Sequence, residues 1–185
     1  MSVEIKKIKD HLNGYNPIPN YQSVRELKFP RIPESVLGDI EKNPQLYVPN
    51  WDWSNIPDAH LYANQNDVVR FSYTFTENIS KWCNANICDN VKWEWQIIQQ
   101  DLPRHKDFDV DGLADSIVHT KFLYLATLGG ENVETDFYDN FDDAEPSEHY
   151  VLKPHTWYLF NAIKIHSVTG IETKQSRFTI IGNSF

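Results

Sequence analysis

"VKWEWQIIQQDL", residues 91–102, alternates Trp93, Trp95 and Ile97 with polar side chains and halts at Pro103. Alternation with a period of two marks a strand that lays one face on a core. The same texture runs on to the C-terminus. "SIVHTKFLYLATL" (116–128) stops at Gly129 and Gly130; "VETDFYD" (133–139), "EHYVLKP" (148–154), "TWYLFNA" (156–162), "IKIHSVTG" (163–170) and "SRFTIIGNSF" (176–185) follow, each bounded by turn residues. Seven short strands separated by turns predict a sandwich or an open barrel.

Upstream the pattern differs. The first 65 residues, with "NGYNPIPNY", "KFPRIPES" and "VPNWDWSNIPD", read as extended chain and turns. One short helix is expected near "PESVLGDIEKN", where Pro33 suits a first turn. In "NDVVRFSYTFTENISKWCNANI", Val68, Phe71, Phe75, Ile79 and Trp82 recur at steps of 3, 4, 4 and 3. That spacing predicts a helix over 66–85, capped by Asn66 or Asp67 and covering one sheet face. The β-branched and aromatic residues in the same stretch argue against it. Trp51 and Trp53 read as core. The whole chain, 1–185, is expected to form a single domain, with 1–90 as a support region and 91–185 as the β core.

Hydrophobic residues make up 41% of the chain and aromatics 14%, which is a globular composition rich in β-formers. The 17 basic and 26 acidic residues leave a net charge of −9, which disfavours nucleic acid as a partner. Cys83 and Cys88 are too few for a disulfide framework and read as ordinary thiols in a reducing cytoplasm. "MSVEIKKIKDHLNG" has no apolar core of a secretory signal, and no apolar run is long enough to span a membrane. The expected location is the cytoplasm.

The chemistry concentrates in "LPRHKDFDVDG", residues 102–112. His105 and Asp107 are two apart, so at the end of a strand they point to one side and can meet at one ion. Imidazole with carboxylate suits Fe(II), Mn or Zn. A further histidine would complete a two-histidine, one-carboxylate face that leaves positions open on an octahedral metal. His166 in "IKIHSVTG" is the candidate. Eleven residues beyond it stands Arg177, a cation in a strand that otherwise reads as core, whose planar fork matches a carboxylate. Thr179 shares its face.

This set resembles the Fe(II)- and 2-oxoglutarate-dependent oxygenases. Their pattern is H-x-D, a gap of some fifty residues, a distal histidine, then about ten residues to R-x-S/T. Here "HKD" is followed after 59 residues by His166 and then by "RFT", and the Gly129-Gly130 turn also fits. The resemblance covers about residues 91–185. It implies a double-stranded β-helix, that is, a jelly-roll or cupin-like barrel. It also implies His105, Asp107 and His166 as iron ligands, and Arg177, Thr179 and Tyr124 as 2-oxoglutarate contacts. The expected reaction is hydroxylation of an unactivated C–H of a small molecule or peptide side chain, consuming 2-oxoglutarate and O2 and releasing succinate and CO2. The rival readings are a non-catalytic cupin-like module binding a metal or small acid, and a hydrolytic or isomerising Zn or Mn enzyme.

Bland readings weigh against each residue. His119, His149 and His155 compete with His166 as ligands, and Lys121 is the alternative to Arg177. Tyr124 can be an ordinary buried tyrosine. "DFDVDG" imitates a calcium loop but has Val118 where that loop needs glutamate. No G-x-S-x-G nucleophile elbow occurs.

Overall fold

The computed structural model describes residues 23–38, 70–74, 77–89, 91–98, 100–107, 120–172, 175 and 177–184. Ten strands and two helices lie in them: β1 (Val24–Leu27), α1 (Glu34–Leu37), β2 (Arg70–Thr74), α2 (Glu77–Asn86), β3 (Val91–Ile98), β4 (Leu102–His105), β5 (Thr120–Leu128), β6 (Glu134–Tyr138), β7 (Glu148–Tyr150), β8 (Thr156–Asn161), β9 (Ile165–Thr169) and β10 (Arg177–Ser184). None of the helices of the described residues is long and apolar enough to cross a membrane.

The strands form two antiparallel sheets. The larger has the order β1-β8-β5-β10-β3-β2 and the smaller β4-β9-β6-β7. From β3 onward the chain passes back and forth between them: β4 joins the small sheet, β5 the large, β6 and β7 the small, β8 the large, β9 the small and β10 the large. Neighbours in each sheet are therefore mostly distant in sequence.

The large sheet is buried on both faces. Its outer face carries Trp93, Phe122, Tyr124, Trp157, Phe178 and Ile180, packed against Leu37 of α1 and Ile79 and Cys83 of α2. Its inner face carries Leu123, Leu125, Tyr158, Phe160 and Ile181, packed against Phe137 of the small sheet. This double burial explains why "FLYLATL" reads as an unbroken apolar run. It also corrects the simplest reading of "VKWEWQII". The strand is real, but its polar Gln96 is only 5% exposed and faces the space between the sheets. Cys83 and Cys88 are both buried and not joined in a disulfide, and burial pushes the Cys83 thiol up to about 12.

The region upstream departs from expectation. Arg70–Thr74 is a strand, paired with β3 from Arg70 opposite Ile98 to Thr74 opposite Glu94, and the helix starts only at Glu77. The β-branched and aromatic residues ahead of Glu77 follow their extended preference once an open edge of β3 is there to pair with. The face of α2 that packs is Ile79 with Cys83, a spacing of four. Within the early stretch read as extended chain, Val24–Leu27 pairs with β8, from Val24 opposite Phe160 to Leu27 opposite Trp157. Trp51, Trp53, Val68 and Phe75 lie outside the described residues, as do His119 and Val118.

Candidate metal centre

β4 and β9 are hydrogen-bonded neighbours, and their register sets His105 directly opposite His166. The two rings lie 4.3 Å apart, centre to centre. Asp107 follows two residues after His105, where β4 has ended, and its backbone N–H donates to Ala162 O at 3.0 Å. That anchor turns its carboxylate back to the histidines. His105 Nε2 lies 3.8 Å from Asp107 Oδ1, and His166 Nε2 lies 3.7 Å from Asp107 Oδ2.

Both imidazoles are fixed in the same tautomer. His105 Nδ1 lies 2.7 Å from Pro103 O, and His166 Nδ1 lies 2.9 Å from Lys164 O. A carbonyl can only accept, so each Nδ1 carries the hydrogen and each Nε2 is the ring nitrogen turned towards Asp107. His166 is 3% exposed; burial pushes its imidazolium down to about 3, against the pull of Asp107, so the ring is neutral. One ligand atom from each of the three residues falls within 4.8 Å of the others. Donors held ~2.1 Å from an ion stand roughly 3–3.5 Å apart, so small side-chain rotations close this set on a metal. The donor chemistry and the locked tautomers fit a divalent ion with open positions.

The triad forms one wall of a cavity between the sheets, lined also by Gln96, Ile98, Leu123, Phe160, Arg177 and Thr179. Arg177 and Thr179, two apart on β10, share this face. Arg177 is 2% exposed, and burial lowers its guanidinium to about 10. Its Nη2 donates to Thr135 Oγ1 at 3.4 Å, while Nε and Nη1 are buried with no hydrogen-bond acceptor among the described residues. Thr179 Oγ1 donates to Gln96 Oε1 at 3.5 Å. The Gly129-Gly130 turn runs directly behind the arginine. Gly129 has φ +87°, and a Cβ there would fall 2.7 Å from Arg177 N.

Lys121 enters the same cavity from β5 and forms an ion pair with Asp107 Oδ2, its ammonium also 4.7 Å from the centre of the Phe160 ring. Sequence reasoning held it only in reserve. Its signal was the one that picked out Arg177, a cation at an inward position of an apolar strand. Tyr124 is the residue the fold removes from the site. On β5 it alternates with Leu123 and Leu125, so it faces the helices, 0% exposed, its ring 4.9 Å from that of Trp157.

Two of the rival histidines, His155 and His149, lie elsewhere. His155 sits in a turn at φ 55°, with Nε2 3.3 Å from Arg31 Nη2. His149 joins Glu134 and Asp136 in a second set of potential donors, on the outer face of the small sheet. There Nδ1 lies 2.7 Å from Asp136 and Nε2 3.7 Å from Glu134, so each nitrogen faces a different carboxylate, and His149 is 48% exposed. The buried set with its adjoining cation is the better-built site.

No family model matches the chain, and no curated relative matches it. Among solved structures it is similar to a Pseudomonas putida prolyl-4-hydroxylase, with a TM-score of 0.49 and 10% identity, over 98% of this chain and 99% of that one.

Proposed function

We propose that this chain is an Fe(II)- and 2-oxoglutarate-dependent oxygenase built on a double-stranded β-helix. The observation that carries the reading is Arg177: a buried guanidinium without an acid partner among the described residues, in the same cavity as a two-histidine, one-carboxylate triad. An unpaired buried charge is costly by several kcal/mol, so an arginine in that position calls for an anion. A carboxylate meets its fork through two parallel hydrogen bonds. The back-and-forth passage of the chain between two sheets supports the fold assignment.

In this reading His105, Asp107 and His166 hold the iron on one face and leave its other positions to ligands. Arg177, with Thr179 beside it, fixes the far carboxylate of 2-oxoglutarate and so the direction from which the cosubstrate enters. Bound there, iron and cosubstrate would supply the oxidising power to hydroxylate a C–H bond, with succinate and CO2 released. The backbone acceptors Pro103 O and Lys164 O keep both Nε2 atoms aimed at the metal position. The apolar walls from Ile98, Leu123, Phe160 and Val168 exclude water.

Anaerobic addition of Fe(II) and 2-oxoglutarate tests this. A metal-to-ligand charge-transfer band in the visible is expected, followed by succinate on admitting air. No band and no succinate would leave a binding module in place of an enzyme.

A further inference from the structure

Two of the three donors are held by one short turn. Between β8 and β9 the chain reverses over Ala162, Ile163 and Lys164. Ala162 O accepts from the Asp107 N–H at 3.0 Å, and Lys164 O faces His166 Nδ1 at 2.9 Å. His105 differs, because its acceptor, Pro103 O, lies on its own strand. The ladder between β4 and β9 ends with His105 opposite His166, so Asp107 lies beyond it and takes its bearing from the turn.

The turn is fixed in its middle by the last side chain of β8. Asn161 Oδ1 accepts from Ile163 N at 3.2 Å and from Lys164 N at 3.1 Å. The Ile163 N–H and the Ala162 C=O are the two poles of one planar trans peptide and point in opposite directions. The bond that Asn161 makes on one side therefore aims the carbonyl on the other side at Asp107. The Lys164 N–H belongs to the next peptide, and the one after that carries the carbonyl set against His166. Both ends of the turn are tied separately. Asn161 N donates to Ser23 O at 2.8 Å, and Lys164 Nζ donates to Glu148 Oε1 at 2.7 Å and lies 3.3 Å from Asp139 Oδ1. Loss of the Asn161 carboxamide would thus loosen the two inner peptides while the turn stays attached to the fold. From this chain of bonds, resting on the metal-centre part of the oxygenase reading, we infer that Asn161 is a positioning residue for the metal. It touches neither the ion nor the substrate, and acts by keeping Asp107 and His166 in step through the β8–β9 turn.

Zn(II), diamagnetic and redox-inert, is the probe, titrated into the full chain against a chelating dye. Groups that orient metal ligands commonly contribute 10- to 100-fold in affinity, so Asn161→Ala should bind Zn(II) roughly 10- to 100-fold more weakly than the parent. Asn161→Asp keeps an acceptor oxygen at the same reach and should restore the affinity. Ile79→Ala, which loosens the helix side of the large sheet, should bind as the parent does, so a general loss of stability would not imitate the effect. Coupling is reciprocal: if the held turn strengthens metal binding, bound metal strengthens the turn by the same factor. In the parent, Zn(II) should therefore slow hydrogen exchange of the Ile163 and Lys164 amides roughly 10- to 100-fold. The Asn140 amide, bonded to Asp143 in the β6–β7 turn, should exchange at its former rate. This second measurement needs no variant and decides the question even where Asn161→Ala does not fold. The inference is overturned if Asn161→Ala binds Zn(II) as the parent does, if Asn161→Asp binds as weakly as Asn161→Ala, or if the two amides are not slowed. A parent that does not bind Zn(II) removes the metal centre and this inference together. A parent that binds Zn(II) but gives no charge-transfer band with Fe(II) and 2-oxoglutarate removes the oxygenase reading alone.

Discussion

At the scale of single residues, the site depends on where three donors and one guanidinium point. Replacing His105, Asp107 or His166 by Ala is expected to abolish stoichiometric Fe(II) binding while the far-ultraviolet circular dichroism stays that of the parent. His155→Ala, whose ring pairs with Arg31 at the surface, serves as the control and should bind iron normally. Iron binding by His166→Ala at parental affinity would refute the ligand set. Arg177→Lys keeps the charge and loses the fork. A charge-assisted hydrogen bond is worth about 1.5–3 kcal/mol, so half-saturation by 2-oxoglutarate should rise roughly 10- to 150-fold. Iron affinity without the cosubstrate should barely change. The readout is succinate formation against 2-oxoglutarate concentration with iron saturating, and an unchanged curve would place the anchor elsewhere.

At the scale of elements, one carboxylate ties three pieces of chain together. Glu148 on β7 accepts from Ser23 N at 2.9 Å, just ahead of β1, from Lys164 Nζ at 2.7 Å, between β8 and β9, and from the Tyr150 hydroxyl. Burial works to raise its pKa, but the hydrogen bonds from Lys164, Ser23 and Tyr150 outweigh it and hold the carboxyl down at about 2. A group whose folded value lies below its unfolded one stabilises the fold above the unfolded value and ceases to do so as it protonates in the native state. The contribution is thus complete above about 4.5 and lost as the pH falls towards 2. Allowing for partial exposure, it should amount to about 1–2 kcal/mol. Urea unfolding at pH 7 and pH 3 should show this loss in the parent and a flatter dependence in Glu148→Gln. Equal slopes would mean that the cluster contributes nothing to pH dependence.

At the scale of the whole molecule, the large sheet is a partition between two cores with different jobs. Ile79, 0% exposed, belongs to the helix side, and Phe137, 0% exposed, to the side of the cavity, with its ring 5.6 Å from that of His166 and 5.0 Å from that of Phe160. Ile79→Ala should cost about 2–5 kcal/mol and Phe137→Ala about 3–5 kcal/mol of stability. Only Phe137→Ala should also weaken Fe(II) binding, because it alone removes support from the His166 ring. Chemical denaturation and iron titration on both variants separate the two. A parental iron affinity in Phe137→Ala would show that the ring packs beside the site without holding it.

Much of this was legible in residues 91–185, because alternation and turn residues are local signals and local signals set strands. The ordered donors and the cation could also be picked out: His105 and Asp107 by their two-residue spacing, His166 and Arg177 as polar groups placed where an apolar strand has no other use for them. Three things needed the tertiary structure. Arg70–Thr74 became a strand only because β3 offers it an edge, overriding a helical spacing of apolar residues. Tyr124 and Lys121 lie on the same strand three residues apart, an odd step, and the pleat sends one to the helices and the other to Asp107. Which face of β5 looks into the cavity is set by the sheet packed against it, so periodicity along one strand could divide its residues into two sets but could not say which set meets His105, Asp107 and His166.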